Sequence, residues 1–455
     1  MQITKFINRK EELNSLDKLW RGDKAEFVVI YGRRRIGKTE LIKQFIKNKP
    51  SIYYFARLES EKDQLDSISA TFSDFFSDAV IKKSSLTTWD AVFEYLYQKN
   101  ERFVFVIDEF PNLIHSEKNL SVIQEYWDEK LKHTKIFMIF CGSSLSMMEK
   151  YVFDYKTPIY GRRTYDLLVG SLKFKDVCEF FPNTDVEEIV KIYGVLGGTP
   201  AYLLEFSSDL DRTILNIIQK RSFLHREPEF VLREEVSEPR YFMSILHAIS
   251  VGKTTINEIV NLTGLERGLV GKYISILRDL DLAERDVSVT ESWKTRKSIY
   301  RIKDNFFNFW FRFIYSNMQE IEQNPEFAVD DVKRNFNSYV GFVFEKIAKE
   351  FLMEKKPFKF QKIGRWWDKD KEIDIVALNE EIKEILFVEC KWKDMDEETS
   401  VKILEKLKEK AEFVIWNNNN RKEYFGIIGK RIENKEKLRK EGFIAFDLND
   451  FKFSG

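Results

Sequence analysis

Cysteine is scarce in this chain. Its 455 residues hold three, Cys141, Cys178 and Cys390, far apart and with no C-x-x-C pair. That argues against a disulfide framework or a cysteine-based zinc site and fits a reducing, cytoplasmic setting. Long apolar runs are also missing. None approaches the roughly 18 residues that a membrane helix needs, so no membrane partner is expected. Met1-Gln2-Ile3-Thr4-Lys5-Phe6 lacks the apolar stretch of a signal peptide. Net charge is absent too: Lys+Arg and Asp+Glu are both 74, giving a formal charge of +0. The whole-chain field therefore offers nothing to a polyanion, and any affinity for nucleic acid has to be local.

What remains is 43% hydrophobic and 33% charged, enough for real cores and too polar for a membrane-embedded chain. The length suggests roughly three domains. The strongest signal is Gly32-Arg33-Arg34-Arg35-Ile36-Gly37-Lys38-Thr39, which reads G-x-x-x-x-G-K-T. An apolar run, Glu26 to Tyr31, precedes it as a buried strand. Leu41, Ile42, Phe45 and Ile46 follow at helical spacing. Strand, glycine loop and helix together form a cradle for phosphate, because backbone N–H groups and the helix N-terminus point at one anion. The expected nucleotide contacts run from Gly32 to Glu40. Lys38 would reach the β- and γ-phosphates, and Thr39 would bind Mg²⁺.

Arg102 to Phe110 runs five apolar residues straight into Asp108-Glu109. This reads as a central parallel strand ending in acids at the edge where open α/β sheets bind ligands. Asp108 would hold Mg²⁺ through a water, and Glu109 would orient and deprotonate the attacking water. Ile136 to Phe140 is another buried strand, leading into Cys141-Gly142-Ser143-Ser144. Ser143 or Ser144 is either a γ-phosphate sensor or a helix N-cap. Arg162 and Arg163, after Gly161, either stabilise charge on a transferring phosphoryl group or form a surface turn. Asn8 reads as the N-cap of an amphipathic helix carrying Leu13, Leu16, Leu19 and Trp20.

Together with Gly197-Gly198-Thr199-Pro200-Ala201-Tyr202, these motifs resemble the archaeal ATPase family. It lies in the STAND branch (signal transduction ATPases with numerous domains) of P-loop NTPases, close to AAA+ proteins. Phe6-x-Asn8-Arg9-x-x-Glu12-Leu13 resembles that family's entry motif beside the adenine. The resemblance implies an ATP switch, places Asn8 and Arg9 at the nucleotide, raises Arg162 and Arg163 as γ-phosphate sensors, and puts Gly198 to Pro200 in a helical lid. It supplies no substrate.

Residues 239–303 read as three helices and a hairpin around Ser292 to Lys297, the pattern of a winged helix. Arg267, Lys272 and Arg278 lie on the third helix, and Lys294, Arg296, Lys297 and Arg301 on the wing. Basic residues outnumber acidic ones only slightly, so DNA contact and packing on the ATPase both stay open. Asn305 to Tyr315 is densely aromatic, which favours a core over a base-stacking platform.

In the last unit a helix from Ser338 to Met353 carries Glu345. Asp374 then ends the polar part of one strand, and Glu389 and Lys391 project from one face of the next. Two carboxylates meeting at a hairpin can bind Mg²⁺, with a lysine to position water. With a helix at 396–410 and a strand at Phe413 to Trp416, the order is αβββαβ. This resembles the PD-(D/E)XK nuclease core, which implies metal ligation by Glu345, Asp374 and Glu389 and a catalytic role for Lys391. No proline precedes Asp374, a departure from the commonest pattern.

The expected architecture is α/β, with P-loop ATPase core 1–170, helical lid 171–235, winged helix 236–304, aromatic linker 305–336 and restriction-endonuclease-like domain 337–455. The expected ligands are ATP and Mg²⁺. DNA, through the winged helix and C-terminal domain, and a second copy of the chain, in a nucleotide-dependent assembly, are the partners left open. The competing expectation is a STAND-type regulatory switch whose C-terminal domain is a catalytically inactive interaction module.

Overall fold

Strand β1 (Glu26–Tyr31) is buried along nearly its whole length, and the reason is its place in the sheet. In the computed structural model, which describes residues 6–99, 101–295 and 297–451, it runs parallel between two neighbours. With β2 (Ser51–Phe55), β3 (Val104–Asp108), β4 (Phe137–Gly142) and β5 (Tyr165–Leu168) it forms a parallel sheet of order β2-β3-β4-β1-β5. Successive side chains go to opposite faces. Phe27, Val29, Phe105, Ile107 and Phe140 enter one core cluster. Val28, Ile30, Val104, Val106 and Ile139 enter the other. Both faces are covered, so the strands read as continuous apolar runs rather than alternations.

Two compact units divide the chain. The first is Met1–Ser171 with Thr199–Ala201 and Arg233–Ser237. It holds this sheet, helix α1 (Lys10–Arg21) and helix α2 (Lys38–Ile46), which opens on Gly37. Asn8 is not the cap of α1. The cap position is Arg9, left-handed like Asn8 before it, and the Arg9 carbonyl accepts the Leu13 N–H at 2.9 Å.

The second unit is Leu172–Gly198, Tyr202–Leu232 and Glu238–Gly455. The helices α3 (Pro239–Ser250), α4 (Ile256–Thr263) and α5 (Arg267–Asp279) precede an antiparallel hairpin, β6 (Ala283–Val287) with β7 (Ser298–Ile302). Thr255 and Glu258 form a capping box at the start of α4, and left-handed Gly264 ends it. Arg267, Lys272 and Arg278 are exposed on α5, as are Lys294 and Lys297 in the hairpin loop. Arg301 is instead paired with Asp286 at 2.9 Å. Arg296 lies outside the described residues.

The expected linker at 305–336 is helical. Helix Asn305–Phe309 passes into a π-helical turn, Trp310–Ile314. Helix α6 then runs unbroken for 31 residues, Pro325–Lys355, rather than from Ser338. Phe306, Phe307, Phe309, Trp310, Phe311 and Phe313 are all buried, so the aromatic run is core. Buried Tyr339 of α6 ties the packing together: its hydroxyl lies 2.7 and 2.9 Å from the Gly194 and Asn305 carbonyls, which share its one proton.

A second sheet closes the chain. Strands β8 (Lys362–Asp368), β9 (Lys371–Asn379) and β10 (Glu384–Met395) are antiparallel. After helix α7 (Glu397–Ala411), β11 (Lys422–Ile432) and β12 (Ile444–Asp447) add in parallel, giving the order β12-β11-β10-β9-β8. The strand expected at Phe413 to Trp416 is a loop. Arg421 donates to the Val414 and Trp416 carbonyls at 2.6 and 3.1 Å, holding the segment as a loop, and Ile415 is 87% exposed.

Candidate functional site

The loop between β1 and α2 is shaped by glycine for two separate reasons. Gly37 sits at φ 96, ahead of the first turn of α2. Gly32 sits at φ +149, and a Cβ there would lie 2.3 Å from the Val169 carbonyl oxygen. Strand β5 leads into that carbonyl, so Gly32 is required by packing before any ligand is considered. Gly32→Ala should cost about 2–4 kcal/mol, from strain plus backbone displacement. A urea midpoint within error of wild type would refute this.

Lys38 is 5% exposed and folds back over the loop, donating to the Gly32 and Arg33 carbonyls at 2.8 and 2.9 Å. Burial pulls its amine below the usual lysine range, opposed by Glu109, Asp108 and Glu235. Arg9 braces the same loop from below, donating to the Ile36 carbonyl at 3.2 Å and the Gly170 carbonyl at 2.6 Å. Arg33 and Ile36 are buried, Arg35 is left-handed at φ 67, and Glu40 is exposed in the first turn of α2. Arg34 reaches Glu234 at 2.5 Å.

Strand β4 separates β1 from β3, and the tips of β3 and β4 meet the loop. The Thr39 hydroxyl donates to Asp108 Oδ2 at 2.8 Å, and the Tyr53 hydroxyl donates to the same oxygen. Burial, then the bond to Asp108, raises the Tyr53 phenol far above its ordinary value. Glu109 is left-handed at φ 56. Its carboxylate takes the Ser143 N–H at 3.2 Å and the Ser143 hydroxyl at 2.5 Å. Ser144 is the N-cap of helix Leu145–Met148, accepting from Met147. Of the two roles left open by sequence, Ser144 takes the helix cap, while Ser143 holds the Glu109 carboxylate. A hydroxyl and a carboxylate in contact, at the end of a cradle of N–H groups, form a hard oxygen set that fits Mg²⁺.

Arg162 is engaged by Asp128 at 3.1 Å, and Arg163 by Asp166 at 2.6 Å with its guanidinium over Phe153. Neither makes a described contact with the loop. Two contributors, Tyr53 and Glu235, escaped sequence reasoning, and a third, Thr199, was read only as part of the lid motif. Tyr53 lies on β2, whose adjacency to β3 only the sheet reveals. Glu235 accepts from Ser144, Leu145 and Ser146, close enough to bear on Lys38. Thr199 has a buried hydroxyl with no hydrogen-bond partner among the described residues, and its neighbour Pro200 approaches Gly37.

An ATPase-domain model, "predominantly from Archaea", matches residues 6–206. A second model, for "Archaea bacterial proteins of unknown function", matches residues 310–403. The uncharacterized protein MJECL04 of Methanocaldococcus jannaschii is 42% identical over 456 residues, spanning 98% of this chain and 100% of that relative. The chain belongs to this archaeal ATPase family. Another M. jannaschii relative, the uncharacterized ATP-binding protein MJ0075, is 24% identical over 306 residues, 53% of this chain and 80% of its own length. The Walker-type ATPase paby2304 of Pyrococcus abyssi shares the fold, with a TM-score of 0.52 at 20% identity, over 68% of this chain and 96% of that one.

The chain carries a second cluster of buried charge in its C-terminal sheet. Strand β10 pairs with β9 as far as Val388 opposite Ile375, so Glu389 and Asp374 follow as neighbours. Asp374 accepts the Cys390 N–H at 2.9 Å. Lys391 bonds Glu389 at 2.9 Å and stands 3.9 Å from Asp374, and Lys410 takes Glu389 at 3.0 Å. Arg365 joins Glu345 and Glu372. Burial, then Glu389, raises the Asp374 carboxyl. Three cations thus stand where the expected ion would sit. Among the described residues no three His, Cys, Asp or Glu side chains are placed to hold a metal ion. Glu345 and Glu389, expected as Mg²⁺ ligands, are held by Arg365 and by Lys391 and Lys410, and Asp374 lies 3.9 Å from Lys391.

Burial pushes Glu345 up to about 7 against the pull of Arg365. The folded chain therefore keeps this proton to higher pH than the unfolded chain, whose ordinary value is 4.5. Its contribution to stability is full below that value and is lost as pH rises toward 7. Thermal melts at pH 5 and pH 7.5 should show a larger fall in Tm for the wild-type chain than for Glu345→Gln. Equal falls would remove Glu345 as the cause.

Proposed function

We propose that this chain binds ATP with Mg²⁺ at the Gly32–Thr39 loop and hydrolyses it. We further propose that hydrolysis is coupled through the α3–α5 helices and β6–β7 hairpin, read as a winged helix, to a nuclease-like C-terminal unit that engages nucleic acid. The observation that carries the ATPase reading is the meeting of Thr39 with Asp108, and of Glu109 with Ser143, beside a buried lysine. Mg²⁺ bound there would neutralise charge on the β- and γ-phosphates. Lys38 would exchange its loop carbonyls for phosphate oxygens. Glu109, released from Ser143, would take the proton of the attacking water. Arg162 or Arg163 would answer the γ-phosphate once freed from Asp128 or Asp166, in this chain or in a second copy of it. The relatives named ATP-binding support the nucleotide. A cytoplasmic location follows from the same reading.

The test is Mg²⁺-dependent ATP turnover with and without single- and double-stranded DNA. Stimulation of several-fold is expected, and turnover indifferent to every nucleic acid would break the coupling.

A second reading is favoured by one observation. Lys391 and Lys410 already hold Glu389, Arg365 holds Glu345, and Asp374 has Lys391 at 3.9 Å and Arg365 at 4.0 Å. On that reading the chain is a STAND-type regulatory ATP switch, and its C-terminal unit binds without cutting. Incubation of labelled DNA with Mg²⁺ or Mn²⁺ separates the two. Cleavage abolished by Asp374→Ala supports the nuclease, whereas a nucleotide-dependent change of oligomer size with intact DNA supports the switch.

A further inference from the structure

A cavity of about 700 Å³ lies within the second unit, walled by the aromatic segment, α6, β7 and the edge of the C-terminal sheet. Its size is that of a site for a small organic ligand. The sequence around it has a pattern that the core reading of the aromatic run does not explain. Asn305, Asn308, Arg312 and Ser316 are the polar residues in a stretch otherwise built of Phe, Trp, Ile and Tyr. They recur at three- or four-residue spacing and all line the cavity. On α6, Asp331, Asn335, Ser338 and Lys346 repeat at helical spacing and line the opposite wall. The aromatic segment and α6 each turn polar residues toward one space.

The charges lining that space are uneven. Four cations, Arg301, Arg312, Lys346 and Arg365, face two acids, Asp331 and Glu372. Three of the cations are already answered. Arg301 pairs with Asp286 at 2.9 Å, Lys346 with Glu284 at 3.5 Å, and Arg365 with Glu345 and Glu372. Arg312 is not. Its guanidinium lies 5.7 Å from the Phe313 ring centre and 6.0 Å from that of Tyr339. Among the described residues it has no carboxylate partner. Asp331 is bonded instead by Asn317 and Asn335, at 3.1 and 2.9 Å. A half-buried guanidinium held only by ring faces is costly to keep and is suited to an outside anion.

The backbone supplies a second, independent sign. Arg312 sits within the π-helical turn Trp310–Ile314. Such turns carry an extra residue, are poor for stability and gather at functional sites. At the cavity's other end Arg365 comes within 4.0 Å of Asp374, so the space adjoins the acidic cluster.

We propose that this cavity binds a nucleotide through its phosphate, with Arg312 as the phosphate ligand, Asn308 as a hydrogen-bonding neighbour and the half-exposed Phe342 ring as a stacking surface. The proposal deepens the reading above and rests on its nucleic-acid half: a strand entering here would carry its next phosphate toward Arg365 and Asp374. The planar guanidinium meets phosphate through two parallel N–H donors, and no carboxylate competes for it.

The test uses the full-length chain carrying Lys38→Ala, so that the phosphate loop contributes little. Fluorescent 5′-phosphorylated dT hexamer and AMP are titrated separately by anisotropy and calorimetry. In that background Arg312→Gln should weaken hexamer binding at least tenfold and lower the slope of log affinity against log salt by about 0.7, one phosphate contact on a single strand. Ser338→Asp, on the exposed rim, should weaken it comparably with an unchanged Tm, so the outcome does not depend on how Arg312→Gln folds. AMP binding that needs Arg312, without hexamer binding, assigns the same site to free nucleotides. Hexamer and AMP affinities unchanged in both variants, or absent before either substitution, overturn the proposal. ATP uptake by the chain with Lys38 intact is measured alongside. Its loss would sink the ATPase reading without touching this site.

Discussion

Replacing Lys38 by alanine should weaken ATP binding by about a hundredfold to a thousandfold. The ammonium is buried and already holds two loop carbonyls, at 2.8 and 2.9 Å, so it is positioned before any ligand arrives. Each hydrogen bond it transfers to a phosphate oxygen is charge-assisted and contributes about 1.5–3 kcal/mol. Two such bonds, partly offset by the carbonyls they leave, amount to about 3–4 kcal/mol. Calorimetry with ATP and Mg²⁺ reads the change directly. A thermal-shift series reads it independently, because ligand at 100 times Kd stabilises a fold by about 2.7 kcal/mol. Wild-type affinity in Lys38→Ala would dismiss the loop as the nucleotide site.

Glu109→Gln should lower kcat by about a hundredfold to ten-thousandfold while leaving ATP affinity within about twofold. A general base contributes rate enhancement of that order. The amide is nearly isosteric, and its oxygen can still accept from the Ser143 N–H that now binds the carboxylate at 3.2 Å. The fold and the left-handed turn at Glu109 should therefore persist, which isolates the chemistry from the architecture. Single-turnover hydrolysis of labelled ATP is the measurement. Turnover at the wild-type rate would remove Glu109 from the reaction and return it to a structural part in closing β3 against β4.

The motifs were legible because their physics is local. A phosphate loop is made by a few adjacent residues, and Gly37, Lys38 and Thr39 carry their roles in their spacing. The buried strands were equally plain, since two covered faces leave an apolar run that needs no partner to be recognised. Errors gathered where a segment's fate depends on distant groups. Phe413 to Trp416 has strand composition, but Arg421 captures its carbonyls. Asn305 to Tyr315 reads as core from its rings alone, but that the stretch to 336 is helical, with α6 beginning at Pro325, depends on what it packs against. Asn8 is a fine cap by type, yet the chain turns left-handed through it, and Arg9 takes the cap position while its guanidinium braces the loop.

The same division holds for the charged groups. Sequence by itself determined that Asp108, Glu109, Asp374 and Glu389 end or line strands, because side-chain direction follows from a two-residue period. Only the tertiary structure decided what each carboxylate meets: Thr39 and Tyr53 for Asp108, Ser143 for Glu109, and lysines for Glu389. It also decided that Arg312 has rings around it and no acid. Electrostatic partners are set by through-space distances of a few ångströms between segments tens or hundreds of residues apart. No spacing along the chain encodes those distances.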